Sequence, residues 1–201
     1  GETVLYSNTG NITVSSDFVS AHINGSHRVL LEDWPQAAMQ VQAFADLNGV
    51  AIETYSIDAL DGHITGNGQI NYSDGLQGQL AIKGEQINTA LINSDLPGKL
   101  GFDAALSIES ADAFVIDINK MDTQIVDRDF AGKGRVQWRE AKLAAIDVSI
   151  NAGRNRLVAD VKLGKQLAGK IDADAPELAQ LWPGLQGTLN TSLTLGGSLE
   201  K

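Results

Sequence analysis

Hydrophobic and polar positions alternate most regularly over residues 61–84. Ile70 and Tyr72 occupy even positions among polar residues and glycines, and the same phase resumes at Leu80 after a turn tripeptide at residues 73–75. A period of two on both sides of a turn predicts two strands of one antiparallel pair. This pair is the reference for the interpretation of the other segments.

Similar alternation along most of the chain predicts about a dozen strands. Asn48-Gly49 is a strong hairpin signal, residues 24–26 are interpreted as a further turn, and residues 36–40 as one helical turn. The predicted strands lie near residues 4–6, 12–14, 19–23, 27–31, 39–47, 50–52, 64–72, 76–82, 100–108, 114–118, 125–127, 130–138, 143–150, 157–163, 167–171 and 185–195.

Two breaks interrupt the alternation, at residues 88–98 and 172–184. Each ends in Pro-Gly and leads into another strand, which predicts a short helical segment stopped by the proline. Asp174 is the expected N-cap of the second segment.

The sequence also contains a loose internal echo. GNGQINY at residues 66–72 resembles GKGRVQW at residues 132–138, because both place two glycines, a β-branched residue and an aromatic residue at alternate positions. Together with the two breaks, this echo predicts a drifted repeat of about residues 50–108 and 116–195 inside one continuous domain, residues 1–201.

A sheet with one apolar face must place that face against a second sheet, helices or a ligand. The predicted helical segments are too few and too short to cover it, and a closed sandwich or barrel is the usual arrangement of alternating short strands. A single apolar phase with only 5% aromatic residues is also consistent with an elongated, curled antiparallel sheet, a half-pipe or β-taco with an apolar interior groove. The predicted fold class is therefore all-β with one or two short helical turns, and both arrangements of the sheet stay open at this point.

Composition and charge narrow the classes of function. The 201 residues are 43% hydrophobic and 20% charged, which is too apolar for a disordered chain. A net charge of −10 argues against nucleic acid as a partner. The chain has no cysteine, so disulfides contribute nothing.

The polar residues do not form a recognisable catalytic or metal-binding motif. His22, His27 and His63 are few and scattered, and His63 is expected to form a solvated turn pair with Asp61. The acidic cluster at residues 127–129 lacks the spacing of a calcium loop. We therefore expect no catalytic residues, no metal, no cofactor and no enzymatic activity.

The order of the motifs resembles a known family. Glycine-rich strands, breaks ending in LPG at residues 96–98 and WPG at residues 182–184, and the GTLNTSLTLGG stretch at residues 187–197 are together similar to the TamB proteins. These are large periplasmic members of the AsmA-like, bridge-type group of lipid-transfer proteins. The resemblance covers roughly residues 50–199 and looks like an internal periplasmic segment.

The resemblance implies a function in the cell envelope. TamB-like chains are anchored in the inner membrane by an N-terminal helix, cross the periplasm as a β-taco and meet TamA, an outer-membrane barrel protein. The inner face of the taco is thought to carry phospholipids, so phospholipid acyl chains are the implied ligand. The anchoring helix and the TamA-docking end are expected in other parts of a longer chain.

The expected lining of the groove is the set of apolar residues that share one phase. These residues are Ile64, Ile70, Tyr72, Leu80, Ile82, Leu100, Phe102, Leu106, Ile108, Phe114, Ile116, Ile118, Val136, Trp138, Val148, Ile150, Leu157, Val161, Leu163, Leu189, Leu193 and Leu195. The plainer interpretation is that they pack only on each other as an ordinary core.

Two other functions are weighed. A scaffold or chaperone for outer-membrane proteins would offer an exposed edge strand to a client. A glycan-binding or polysaccharide-cleaving protein would need a row of aromatic side chains or a pair of carboxylates, and the three tryptophans are widely spaced.

Overall fold

A computed structural model describes residues 2–7, 10–17, 19–29, 36–140 and 142–198. In this part of the chain, fourteen strands form one antiparallel sheet in which each strand pairs only with its neighbours in sequence. The strands are β1 (Glu2–Ser7), β2 (Gly10–Ser16), β3 (Ser20–Val29), β4 (Ala37–Asp46), β5 (Gly49–Ala59), β6 (Gly62–Asn71), β7 (Gln77–Asn88), β8 (Gly98–Ser110), β9 (Ala113–Ile125), β10 (Arg128–Arg139), β11 (Lys142–Ala152), β12 (Asn155–Leu163), β13 (Gln166–Ala175) and β14 (Leu189–Ser198). The only helical segments in the described part are two 3₁₀ turns, Thr89–Leu91 and Leu178–Gln180.

The sheet is open and curled, which confirms the predicted half-pipe arrangement. Thirteen steps between neighbouring strands, at about 4.8 Å each, give a length of about 62 Å along the sheet. The accessible surface is 12988 Å², whereas a compact monomer of 21.3 kDa exposes about 9,100 Å². This excess is the signature of a single layer, so the alternative of a closed sandwich is wrong.

Strand register separates the two faces of the sheet. Leu80 lies opposite Leu106, and Leu106 lies opposite Ile116, so all three side chains project to the same side. We call the side that carries these residues the apolar face and the other side the polar face. The phase predicted over residues 61–84 is confirmed, because Ile70 lies opposite Gly78 on the same face.

The polar face carries the ion pairs. Arg139 Nη2 lies 2.9 Å from Glu109 Oε2, a contact that joins β10 to β8 across β9. Arg135 pairs with Asp117 at 3.3 Å on the same face. These pairs are half-exposed, so each contributes little to stability, but they keep charge on the side away from the apolar residues.

The strand ends form two rims that run along the sheet. One rim, which we call the turn rim, carries the connections at residues 47–48, 72–76, 111–112 and 164–165. The other, which we call the strap rim, carries the turns at residues 60–61, 126–127 and 153–154 together with two longer segments. These segments are the first strap, residues 89–97, and the second strap, residues 176–187, and each contains one of the 3₁₀ turns.

Two local predictions for the early strands are wrong. Residues 24–26 do not turn but continue β3, because Gly25 stays in register with Ile12 and Val41. The expected helical turn at residues 36–40 is extended, because Met39 pairs with His27 in the alternation of β4. Pairing across the sheet overrides the local turn and helix preferences in both cases.

The predicted cap of the second break is also wrong. Asp174 lies within β13, opposite Arg156 and Asn190. The 3₁₀ turn is instead preceded by Glu177, whose side chain makes no capping hydrogen bond. The end of the strand predicted at residues 27–31 lies outside the described residues. No helix within the described ranges has the length and hydropathy needed to span a bilayer.

Candidate functional site

The apolar face forms continuous rows that run along the sheet. In one row, Leu80, Leu106 and Ile116 are followed by Val136, Ile146 and Val161 on the next three strands. Neighbouring strands lie about 4.8 Å apart, so successive apolar side chains are in contact range along the whole row. The arrangement is a groove whose long axis crosses the strands.

Strand register brings all but one of the predicted lining residues together on this face. At one end of the set, Ile64 is two positions before Gly66, which lies opposite Ile82, so Ile64 and Ile82 share a face. At the other end, Leu195 lies opposite Gly169. Most of these side chains are half-buried, and many residues on the polar face are exposed, although Val115 on that face is only 2% exposed. Curling toward the apolar side explains this difference, because it crowds one face and spreads the other.

The apolar face is most exposed near the last strand. Leu189 is 45% exposed and Leu193 is 52% exposed on β14, which pairs only with β13. Leu157, two strands away, is 37% exposed. These leucines show that the face has no second protein layer over this part of the sheet.

Tyr72 is the predicted residue that lies outside the strands. It follows the end of β6, and its hydroxyl donates a hydrogen bond to the carbonyl oxygen of Asp46 at 2.5 Å. Its backbone N–H donates to Asn48 O at 2.9 Å. Tyr72 therefore closes the turn rim beside the β4–β5 hairpin and does not line the centre of the groove.

Two aromatic rings meet on the apolar face close to the turn rim. Phe114 at the start of β9 and Trp138 at the end of β10 lie opposite each other, with ring centroids 5.7 Å apart and planes 11° from parallel. Offset stacking of this kind stabilises the pair beyond its buried area. The pair marks one margin of the groove.

The strap rim is covered by a segment of the chain, whereas the turn rim is open. Asn155 is 3% exposed, and its Nδ2 donates to Glu177 O at 2.8 Å and to Ala152 O at 3.1 Å. Its Oδ1 accepts from Glu177 N at 3.0 Å. Asn155 lies opposite Ala152 on the apolar face, so these bonds hold the second strap over the end of that face.

Several lining residues were missed by sequence reasoning. Tyr55 and Ile57 on β5 extend the apolar face toward β4, but a register shift between Ile52 and Tyr55 breaks the period of two. Ile87 faces Leu100 after another shift. Ile146 and Ile171 kept the phase of their strands, and strict counting from Val148 would have found Ile146.

The titratable groups on the groove side are few. Burial raises the pKa of the Tyr55 phenol above its ordinary value, so this side chain stays neutral at physiological pH. The expected pairing of His63 with Asp61 is wrong, because His63 Nδ1 lies 2.6 Å from Asp58 Oδ1 on the polar face. No group of three or more metal-ligating side chains occurs among the residues that the structure describes.

A depression of about 1150 Å³ also lies on the polar face. Its outward side chains include Lys83, Asp103 and Asp122, and Lys83 is paired with Glu85 at 2.8 Å. Charged walls of both signs do not suit hydrocarbon, so this depression is separate from the groove.

An open single-layer sheet whose one apolar face runs uncovered between two rims defines the class: an all-β protein of the half-pipe or β-taco kind. The family model described as TamB, N-terminal domain, matches residues 1–201. The chain therefore belongs to the TamB family, a family of envelope-associated transport and assembly modules. The comparisons with curated proteins and with solved structures give no match.

Proposed function

We propose that this part of a TamB protein conducts phospholipids across the periplasm by sheltering their acyl chains against the apolar face. The observation that carries the proposal is the uninterrupted apolar row from Leu80 to Val161 without a second protein layer. The resemblance that implied lipid transfer and the family match support the same function.

The magnitude of acyl-chain hydration explains why such a groove is useful. Each methylene left in water costs about 0.8 kcal/mol, so two tails with about thirty methylenes cost on the order of 24 kcal/mol to expose. Contact with Leu, Ile, Val and Phe side chains removes much of this cost without directional bonds. The groove therefore lowers the barrier to lipid movement without any catalytic residue.

Uniformity of the lining favours movement over trapping. Leu106, Ile116 and Val136 are of similar size and polarity, and the ion pairs lie on the other face. A lipid that shifts by one strand exchanges one set of apolar contacts for an equivalent set. The free energy along the groove is therefore expected to be nearly flat.

The cellular setting of the proposal comes from the family. We place this domain in the periplasm, with the full-length protein anchored in the inner membrane and contacting a TamA-like outer-membrane barrel through another part of its chain. The expectation that the chain is not an enzyme belongs to the same proposal.

A pair of aspartate substitutions on one strand tests the proposal. Leu106→Asp places a carboxylate on the apolar face, and Ser107→Asp places the same charge on the polar face of β8. We expect the first to abolish uptake of a fluorescent phospholipid from vesicles of phosphatidylethanolamine and phosphatidylglycerol, and the second to leave uptake unchanged. Circular dichroism checks that both variants keep the sheet, and equal uptake by the two variants would remove the proposal.

A second candidate is strand addition to a client protein. Among the described strands β14 pairs only with β13, and it exposes the side chains of Leu189 and Leu193, features that favour edge pairing. If this function holds, proline at Thr194 on β14 stops client assembly while Leu106→Asp is tolerated. Lipid conduction predicts the opposite sensitivity.

A further inference from the structure

The two rims of the groove differ in how exposed the end of the apolar face is to solvent. Ala104 is buried in the middle of β8, and several other buried residues of this face gather at the strap rim. They are Ile87, Thr123, Ala152, Asn155 and Ala175. At the turn rim, by contrast, the end residues of the apolar face, such as Phe114 and Leu163, remain half-buried.

The second strap closes part of the strap rim through polar contacts. Asn155 uses its amide oxygen and its amide N–H groups on Glu177 and Ala152. Arg128, opposite Ile125 at the same end of the apolar face, donates from Nε to Ala179 O at 3.2 Å. The strap is thus tied to β10 and β12, and it covers the strand ends between them.

The first strap closes another part of the same rim. It follows the buried Ile87 and the half-buried Asn88, and Asn88 N donates to Leu60 O at 2.8 Å. The last residue of the first strap, Pro97, directly precedes β8. Its carbonyl oxygen accepts a hydrogen bond from Val126 N at 2.8 Å. Thr123 beneath this region donates its hydroxyl to Lys99 O at 2.9 Å.

These contacts pair the buried polar side chains of the strap rim, where Asn155 and Thr123 are both hydrogen-bonded. None of the described buried polar side-chain atoms lacks a hydrogen-bond partner. A charged phosphate and its hydration shell would have to displace formed hydrogen bonds there, which is unfavourable.

The turn rim carries aromatic side chains next to the groove. Trp138 stacks on Phe114 there, and Tyr72 places its hydroxyl on the Asp46 carbonyl at the same rim. Tryptophan and tyrosine suit a boundary between hydrocarbon and water, because each joins an apolar ring to one polar group. The turn rim therefore offers such a boundary beside the groove.

We propose that a phospholipid in the groove is held in one orientation, with its phosphate headgroup leaving between the rims on the side of the turn rim and its acyl chains directed toward the straps. This inference rests on the proposed function and deepens it, because it assigns the two parts of the ligand to different rims. The straps act as a ledge, which means that they cover the strap-rim side of the half-pipe. Its open side therefore lies closer to Trp138.

Single cysteines can report the orientation, since the chain has no cysteine of its own. Ser94 in the first strap and Ala111 in the β8–β9 turn are both exposed and lie at opposite ends of β8. The 13 residues of β8 span roughly 40 Å when extended. Ser94→Cys and Ala111→Cys are each labelled with a fluorophore and loaded from phosphatidylcholine–phosphatidylglycerol vesicles that contain a phospholipid with a nitroxide on its headgroup.

We expect several-fold stronger quenching of the label at Ala111→Cys than of the label at Ser94→Cys. Equal quenching, or stronger quenching at Ser94→Cys, overturns the orientation. A phospholipid with the nitroxide on its tail tests the proposed function separately, through stronger quenching of Leu106→Cys than of Ser107→Cys. If this tail signal is present and the rim difference is absent, only the orientation fails.

Release of the second strap gives an independent test. Asn155→Ala removes the amide that holds Glu177, which shifts strap opening by about tenfold or more. A label at Arg154→Cys on the strap rim is then expected to gain headgroup quenching, whereas Asn151→Ala, an exposed change on the polar face of β11, leaves it unchanged. No gain with Asn155→Ala contradicts a role of the strap as the ledge.

Discussion

The phenol ring of Tyr55 lies over Gly66 on the neighbouring strand. A Cβ atom at Gly66 would be 2.5 Å from Cζ of this ring and 2.0 Å from the carbonyl oxygen of Ala81. The hydroxyl of Tyr55 reaches on toward Ala81 O at 3.4 Å. The missing side chain of Gly66 thus lets an aromatic ring lie flat across two strands, which permits tight curling on the apolar side.

This relationship predicts that Gly66→Ala destabilises the sheet. The added methyl group must displace Tyr55 or bend the backbone near Ala81, and we expect a loss of about 1–3 kcal/mol in the free energy of unfolding. Urea denaturation measures the loss. Gly196→Ala on β14 is the matched control, because nothing lies within 4 Å of its Cβ position, and a similar loss in both variants would contradict the packing argument.

Asn155→Ala is predicted to loosen the second strap without unfolding the sheet. It leaves the backbone of Glu177 without the side-chain partners that satisfy it, at a cost of about 1–3 kcal/mol. Hydrogen exchange should accelerate at Glu177, whose N–H donates to Asn155 Oδ1, while amides of β10 keep their protection. Unchanged exchange at Glu177 would show that other contacts hold the strap.

The turn between β2 and β3 is predicted to weaken in acid. The Asp17 carboxylate accepts from the backbone N–H of Ser20 and that of Val19, and from the Ser20 hydroxyl, which lowers the pKa of Asp17 below its ordinary value of 3.8. A lowered folded-state pKa stabilises the turn above the ordinary value, and this stabilisation disappears as the pH falls through the folded-state pKa.

Amide exchange at Ser20 measures this effect. Exchange rates, corrected for the intrinsic effect of pH, should show protection at neutral pH that declines in acid. In Asp17→Asn the pH-dependent part of the protection at Ser20 should vanish. A pH profile identical to that of the wild-type chain would exclude Asp17 as the titrating group.

Trp138 is predicted to report ligand binding. With Trp34→Phe and Trp182→Phe, it is the one remaining indole, and it lies against Phe114 beside the groove. Binding of a phospholipid should shift its emission to shorter wavelength, because hydrocarbon replaces water near the ring. Leu106→Asp in the same background should remove the shift, and a shift that survives this change would point to binding elsewhere.

Much of the fold followed from the alternation of side chains. The pairing of β6 with β7, the hairpin at Asn48-Gly49 and the shared face of Leu106 and Ile116 were all predicted. These features depend only on a period of two and on turn residues, which are visible in a single sequence. The all-β class is confirmed by the strands of the structure, and the family assignment by the match of the family model to residues 1–201.

The departures arise where the period is broken. Gln86 adopts a φ of 56° in the register shift between Gly84 and Ile87, and this shift turns Ile87 onto the apolar face. A bulge depends on how two strands accommodate each other, so residue type alone does not reveal it. The strap contacts of Asn155 were likewise invisible, since they join residues 22 positions apart through one side chain. The drifted repeat of residues 50–108 and 116–195 stays a prediction.

Pairing of every strand with its sequence neighbours alone has a consequence for evolution and assembly. Insertion or loss of one hairpin changes the span by about 10 Å and leaves the pairing of all other strands intact. The architecture can therefore be extended by whole hairpins, and the number of hairpins sets the length of the sheet. Growth of this kind needs no new topology, because each added hairpin finds its partner in the one synthesised just before it.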